Sequence, residues 1–357
     1  MAVTRSGRKG ALARPQGHRR GQAEAGCFLT RMCRALYTAW RQQNWVSEVR
    51  GLIFRARSPV RVDFAGAWTD CAPFANAFGG ATLNAAITMY VEGGLEAHEG
   101  EDFPISDKSD TRTGLSVTYS ARIPAGTGLG TSAALNVVWL ALARREAVTS
   151  QADRERIAAL AYDIEKVLGI IGGKQDQYAS AIGGMNLFEF TEEGVRCQPV
   201  RPENACLQGL RERFLLCYTG TARLSSNIHR NVWGAFREGR KQTVDALFGL
   251  RRGAYEGRNA LLKGDLPALG HILTEQFEHS KQLDASTTNE RLESLFKAAL
   301  PLCYGGKPCG AGGGGCVLFL ARNPEARRRL AQLVDEKGMT TIDFDFDFEG
   351  LRLWKEE

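Results

Sequence analysis

Long apolar runs are missing from these 357 residues: no stretch reaches the roughly 18 needed for a membrane-spanning helix, so a membrane protein of that kind is excluded. None of the nine cysteines forms a Cys-x-x-Cys pair, and their number is odd. That argues against a disulfide framework or a zinc ribbon and suits a reducing compartment, so the cytoplasm is the expected location. The five histidines never fall as His-x-x-x-His, and no histidine metal site is expected. Acid is scarce at the start: residues 1–57 hold twelve Lys and Arg against Glu24 and Glu48 alone, whereas the rest of the chain holds 34 basic and 38 acidic side chains. The net charge of +6 therefore belongs to the leader, and the basic balance does not imply a nucleic-acid partner for the body. No internal repeat is present.

What remains is an ordinary globular composition, with 43% hydrophobic and 24% charged residues, long enough for one large or two ordinary domains. Residues 1–51 read as a basic leader, disordered at least over 1–25 and dispensable. A transit peptide, a start codon set too early, and a genuine extra helix over 27–45 all fit that segment. Ordered structure is expected to begin near Leu52. Residues 52–64, 82–97, 115–119, 214–218, 315–321 and 341–348 read as strands, the last with Ile342, Phe344, Phe346 and Phe348 on one face. Residues 132–145 read as a buried helix, 152–168 as an amphipathic helix stopped by Gly169, 226–297 as mostly helical with a break near Gly264–Pro267, and 324–337 as a further helix. Strands and helices mix without regular alternation, so the fold class is α+β.

Two glycine loops carry the chemistry. Pro124 to Ala134 reads PAGTGLGTSAA and runs straight into the buried helix. Gly126, Gly128 and Gly130 allow a backbone to approach an anion, and the helix start aims free N–H groups and a positive dipole end at it. Thr131 and Ser132 add hydroxyls. The loop is not a Walker A motif, since no Gly-Lys-Ser/Thr follows. It is expected to lie outside the core, so that a valine at Gly128 costs nucleotide affinity and leaves the fold intact. The second loop, Lys307 to Gly315, reads KPCGAGGGG and leads into an apolar strand; it must pass close to another backbone or to a ligand.

These loops, together with Ser58 to Asp70 (SPVRVDFAGAWTD) and Phe78 to Asn84 (FGGATLN), resemble the three motifs of the GHMP kinase superfamily, in the family's order. Within it, the segments Gly173–Tyr178 (GKQDQY) and Tyr218–Ser225 (YTGTARLS) are similar to the branch of D-glycero-D-manno-heptose 7-phosphate kinase and L-fucose kinase. The resemblance implies a two-lobed fold, with an N-terminal lobe like ribosomal protein S5 domain 2 over residues 52–205 and a ferredoxin-like C-terminal lobe over 206–357. It implies an ATP- and Mg²⁺-dependent sugar kinase acting on a sugar hydroxyl, the anomeric one by analogy, with a small-molecule partner and a homodimer left open. A catalytically inactive sugar- and ATP-binding regulator on the same fold is the alternative.

The resemblance also implies roles. Pro124, Gly126, Gly128, Leu129, Gly130, Thr131 and Ser132 would cradle ATP, joined by Gly310, Gly312 and Gly313. Asp176, presented by a turn over residues 172–175, would take the proton of the attacking hydroxyl; a turn-capping role is its plainer reading. Ser132 and Glu165 would hold Mg²⁺, although Glu165 also suits a helix-surface ion pair. Arg61 would neutralise developing charge, or simply pair with Asp63. Lys174 would orient Asp176 or bind phosphate. Asp70 would accept sugar hydroxyls. Trp68 would stack on the sugar or pack in the core, and Thr219, Gly220 and Arg223 would face the substrate. Since residues 1–51 contain none of the motifs, a chain starting at Leu52 is expected to fold and to keep kinase activity. Thermal melting checks this: a markedly lower melting temperature for the shortened chain would make the leader a structural part.

Overall fold

The computed structural model describes residues 53–97, 115–121, 126–221 and 226–356. The leader 1–51, Pro124 and Arg223 lie outside the described residues. The main body comprises Phe54–Gly94 and Thr118–Glu356; of the other unit only Ile53, Leu95–Ala97 and Leu115–Val117 are described. Among the described residues no helix is long and apolar enough to cross a membrane.

The strands are β1 (Ile53–Ala65), β2 (Gly80–Ala97), β3 (Leu115–Ala121), β4 (Met185–Phe190), β5 (Val195–Pro199), β6 (Phe214–Tyr218), β7 (Cys303–Pro308), β8 (Cys316–Ala321), β9 (Thr340–Ile342) and β10 (Arg352–Glu356). One sheet runs β10-β1-β2-β4-β5, with β3 against β2; the other runs β7-β8-β6-β9. In the first, β2 and β4 are antiparallel with Asn84 opposite Asn186; in the second, Tyr218 of β6 lies opposite Cys316 of β8. The helices are α1 (Ala72–Phe78), α2 (Thr131–Arg144), α3 (Gln151–Val167), α4 (Gln175–Ile182), α5 (Asn204–Arg213), α6 (Ser226–Arg237), α7 (Lys241–Lys263), α8 (Leu266–Leu283), α9 (Glu290–Ala299) and α10 (Pro324–Glu336). This is an α+β arrangement.

Local chemistry explains most boundaries. Ser150 and Asp153 form a reciprocal capping box that starts α3. Asn323 caps α10 and Pro324 supplies its first position, while Gly264 closes α7 in the left-handed region at φ 68°. Helix α2 is buried nearly all round because Ala133, Ala134 and Asn136 through Leu142 are apolar or small, Asn136 excepted.

The expected strand over 341–348 is a departure. Only Thr340–Ile342 pairs as a strand, and residues 343–351 run irregularly, so the four aromatic and aliphatic side chains do not share a face: Phe346 is buried and Phe348 is 54% exposed. The reason lies in what the segment bonds to. Thr88 N–H donates to Asp345 O, Asp347 N–H to Ala86 O, Gly184 N–H to Asp347 O, and Leu351 N–H to Ala181 O. The chain thus splits its bonds between β2 and the end of α4 instead of following one partner. Asp347 fastens the turn: its Oδ1 accepts from Glu349 N–H at 3.1 Å and Gly350 N–H at 2.7 Å, and its Oδ2 from the Tyr90 hydroxyl at 2.9 Å. Burial and this bond push the Tyr90 phenol up to about 12. Asp347→Ala strands these donors in a buried place and is expected to lower stability by about 2–3 kcal/mol. Denaturant unfolding checks it: an unchanged midpoint would mean that the turn holds without its carboxylate.

Candidate active site

The site is built around Arg61, whose side chain is almost wholly buried on β1. Its Nε and Nη2 donate to Asp176 Oδ1 at 2.8 and 2.6 Å, and its Nη1 donates to Gly128 O at 2.5 Å. Burial works against the guanidinium's charge, but Asp176 and then Asp63 more than offset it and raise its pKa. The plainer expectation, a pair with Asp63, is the weaker contact here, at 3.9 Å. Asp176 lies in the first turn of α4. The carboxylate reaches the first glycine loop: a Cβ on Gly130 would lie 3.2–3.3 Å from the Asp176 side chain.

The first glycine loop has its carbonyls turned inward. Thr127 O accepts from Cys316 N–H, Gly128 O from the Arg61 guanidinium and Leu129 O from Arg61 N–H. A planar trans peptide points its N–H opposite its carbonyl, so the N–H groups of Gly128, Leu129 and Gly130 turn the other way. Alternating positive φ at Gly126, Gly128 and Gly130, between 77° and 78°, is what permits this. Beyond it the first turn of α2 adds donors that no helix can satisfy internally. The result is a nest of N–H groups suited to phosphate oxygens.

Gly128 serves packing as well. A Cβ there would lie 2.3 Å from Cys309 O, because the second glycine loop crosses the first at that point. The second loop's close partner is thus backbone: Gly310 sits against Gly128, Gly312 against Thr287 O, and Gly315 against Thr127 O. Gly313 N–H donates to Thr287 O.

Glu165 is not a helix-surface charge. It is 7% exposed, and its two oxygens accept from Asn136 Nδ2 and Gln177 Nε2, each at 2.7 Å. Burial, and then the charge of Asp176, push its carboxyl up to about 7. Ser132 is exposed in the first turn of α2, one turn before Asn136 and on the same face.

Other expectations are corrected. Lys174 does not orient Asp176; its ammonium lies 5.4 Å from the Tyr162 ring centre, and Arg61 holds Asp176 instead. Asp70 is 2% exposed and its Oδ2 accepts from Gln175 N–H at 2.9 Å, so it clamps the start of α4 rather than standing open to sugar hydroxyls. Burial pushes its carboxyl up to about 7, the Gln175 bond opposing. A Cβ on Gly173 would fall 1.7 Å from Asp70 Oδ2, which explains that glycine. Trp68 is 3% exposed and packs on His229, 4.5 Å between ring centres, and on Trp233, so its face is not free for a sugar. Its φ of 81° is a strained value for a bulky residue. Thr219 spends its N–H and hydroxyl on Gly315 O, each at 2.9 Å, while Gly220 beside it is exposed. Sequence reading passed over Lys307, which pairs with buried Asp63, and over Gln177 and Asn136, which hold Glu165. Only the placing of Lys307 at the head of a glycine motif signalled it.

Residues 95–184 match the GHMP kinases N terminal domain and residues 258–338 the GHMP kinases C terminal domain. The chain is 30% identical over 339 residues to D-glycero-alpha-D-manno-heptose 7-phosphate kinase of Campylobacter jejuni, covering 84% of this chain and 98% of that one. It is 28% identical to the bifunctional fucokinase/GDP-fucose pyrophosphorylase of Arabidopsis thaliana, over 78% of this chain and 31% of that longer protein. Its fold is similar to a crystal structure of a D-glycero-D-manno-heptose 1-phosphate kinase from Bacteroides thetaiotaomicron, with a TM-score of 0.67, 23% identity, and coverage of 85% and 99% of the two chains.

The crossing of the two loops changes what a mutation at Gly128 does. Gly128→Val combines positive φ with a clash against Cys309 O, so it is expected to lower the melting temperature sharply or to leave the protein insoluble, contrary to a loop lying outside the core. A variant that melts with the parent and loses only nucleotide affinity would overturn this.

Proposed function

The chain belongs to the GHMP kinases and is an ATP-dependent sugar kinase, and from that premise we propose how its residues divide the work and which acceptor they take. The observation that carries the reading is the juxtaposition of an outward nest of N–H groups at Gly128–Gly130 with the Asp176 carboxylate, which lies against Gly130. Phosphate oxygens of ATP bind the nest and the first turn of α2. Asp176 stands beside them to accept the proton of the attacking hydroxyl. Arg61, bonded to both Asp176 and the loop carbonyl, supplies positive charge next to the transferred phosphoryl group and fixes the base.

Mg²⁺ suits the residues present. Glu165 is a buried carboxylate whose oxygens accept from two amides, and burial, then the charge of Asp176, raise its pKa. Magnesium needs only one or two protein oxygens when phosphates supply others, so Ser132 and Glu165 are the ligands proposed. When bound, the ion would neutralise phosphate charge. The same reading divides the chain into a basic leader 1–51 and lobes at 52–205 and 206–357, with β10 returning to the first sheet.

The acceptor proposed is a sugar phosphate of the heptose 7-phosphate kind, phosphorylated on its anomeric hydroxyl. Support comes from a relative of that name aligned over nearly its full length, against a fucokinase aligned over a third of its own. A panel of heptose 7-phosphate, L-fucose, galactose and glucuronic acid with ATP, read by ADP release, tests it; preference for an unphosphorylated sugar overturns the assignment. The base is tested separately. Asp176→Asn is expected to keep nucleotide binding and to lose on the order of 10²–10⁴ in kcat. Turnover close to the parent's would remove Asp176 from the mechanism.

A further inference from the structure

Lys307 is the last residue but one of β7, at the head of the second glycine loop, and none of the roles above uses it. Its side chain is 3% exposed and that of Asp63 is wholly buried. The Lys307 ammonium donates to Asp63 Oδ2 and, at 3.1 Å, to Asp63 O. The other carboxylate oxygen, Oδ1, accepts from Gly310 N–H at 3.0 Å and lies 3.9 Å from Arg61 Nη1. Four charges therefore follow one another through the interior: Lys307, Asp63, Arg61 and Asp176. Each of the two inner groups faces two partners of opposite sign. Asp63 can be neutralised by Lys307 or by Arg61, and Arg61 can serve Asp63 or Asp176.

We infer that Lys307 is a positioning residue for phosphoryl transfer: by neutralising Asp63 it leaves the Arg61 guanidinium aimed at Asp176 and at the Gly128 carbonyl. The physical argument is the cost of a buried, unpaired charge. A carboxylate taken wholly from water and then stripped of its counter-ion draws the nearest available cation. That cation is Arg61, already within 3.9 Å. A turn of the guanidinium toward Asp63 breaks its bonds to Asp176 Oδ1 and Gly128 O together, since all three nitrogens are committed there. The base then loses its anchor and the phosphate loop loses an inward tether. The inference rests on the reading of Asp176 and Arg61 given above.

The experiment compares purified Lys307→Met, Lys307→Arg and the double variant Lys307→Met/Asp63→Asn with the parent and with Asp176→Asn, measuring melting temperature and separate kcat and KM for ATP and the sugar. Lys307→Met keeps an unbranched apolar stem one atom shorter and removes the charge. It is expected to lower kcat by 10–100-fold with KM for ATP changed less than threefold. Lys307→Arg, which keeps the charge, is expected to hold kcat within a few-fold. The double variant removes the competing carboxylate, so it is expected to recover kcat to within about fivefold of the parent. Should Lys307→Met fail to fold, the double variant, which buries no unpaired charge, carries the test alone. The inference is overturned if folded Lys307→Met turns over like the parent, or if the double variant melts like the parent yet stays more than tenfold slow. Asp176→Asn separates the two readings: full turnover there sinks the catalytic assignment itself, whereas an inactive Asp176→Asn beside a fully active Lys307→Met sinks only the role of Lys307.

Discussion

One guanidinium holds this site together. Arg61 is a strand residue with nearly no exposed surface, and it bonds at once to the base candidate Asp176 and to the carbonyl of Gly128. A buried arginine is costly unless every donor is used and its charge is met. Here each of the three guanidinium nitrogens has a partner and the charge is met, since two nitrogens share Asp176 Oδ1 while the third reaches a backbone oxygen. The consequence is geometric: the separation of the Gly128 carbonyl and the Asp176 carboxylate is set by the dimensions of one planar guanidinium. Lysine, a flexible point charge, could not fix both.

The second constraint is the crossing of the two glycine loops. Gly128 lies on the Cys309 carbonyl and Gly315 on the Thr127 carbonyl, and Cys316 N–H donates to Thr127 O. The glycines are therefore needed on two sides. One side is the absence of side chains where backbones meet, and the other is positive φ, which lets successive N–H groups face the same way. The inward carbonyls and the outward N–H groups are two views of the same peptide planes. A loop expected to lie outside the core is held by bonds from β1 and β8.

Much of this was legible in the residues and some was not. The periodicity of α3, with Ile157, Leu160, Ala161, Ile164 and Leu168 spaced three and four apart, placed that helix to within a residue at each end, and the glycine stop at Gly169 is a local signal. Strand β6 was readable because five apolar residues between polar neighbours leave little choice. The segment 343–348 was misread, since alternation over Ile342–Phe348 fits a strand equally well and only the tertiary bonds of this stretch to Ala86 and Thr88 decide otherwise. Among site residues, Asp176, Arg61 and Glu165 came from the motif resemblance, but what each touches did not. The sequence separations of 115 between Arg61 and Asp176, and 244 between Asp63 and Lys307, put those contacts beyond any local pattern. The resemblance gave Asp70 a sugar contact and left Trp68 between that and core packing. Their burial against His229 and Gln175 is a property of packing alone.

The position of Asp176 shows how the pieces converge. Asp70 accepts the Gln175 N–H and so fixes where α4 begins, and Gly173 has no side chain because that carboxylate occupies the space. The far end of α4 is fixed as well: Ala181 O accepts from Leu351 N–H, and a Cβ on Gly183 would meet Gly350 N at 2.3 Å. The helix is only eight residues long, too short to be stable in isolation. Its register therefore comes from outside, from a buried acid at one end and the returning C-terminal segment at the other. Arg61 then reads that register through a single oxygen, Asp176 Oδ1, on which its Nε and Nη2 both converge.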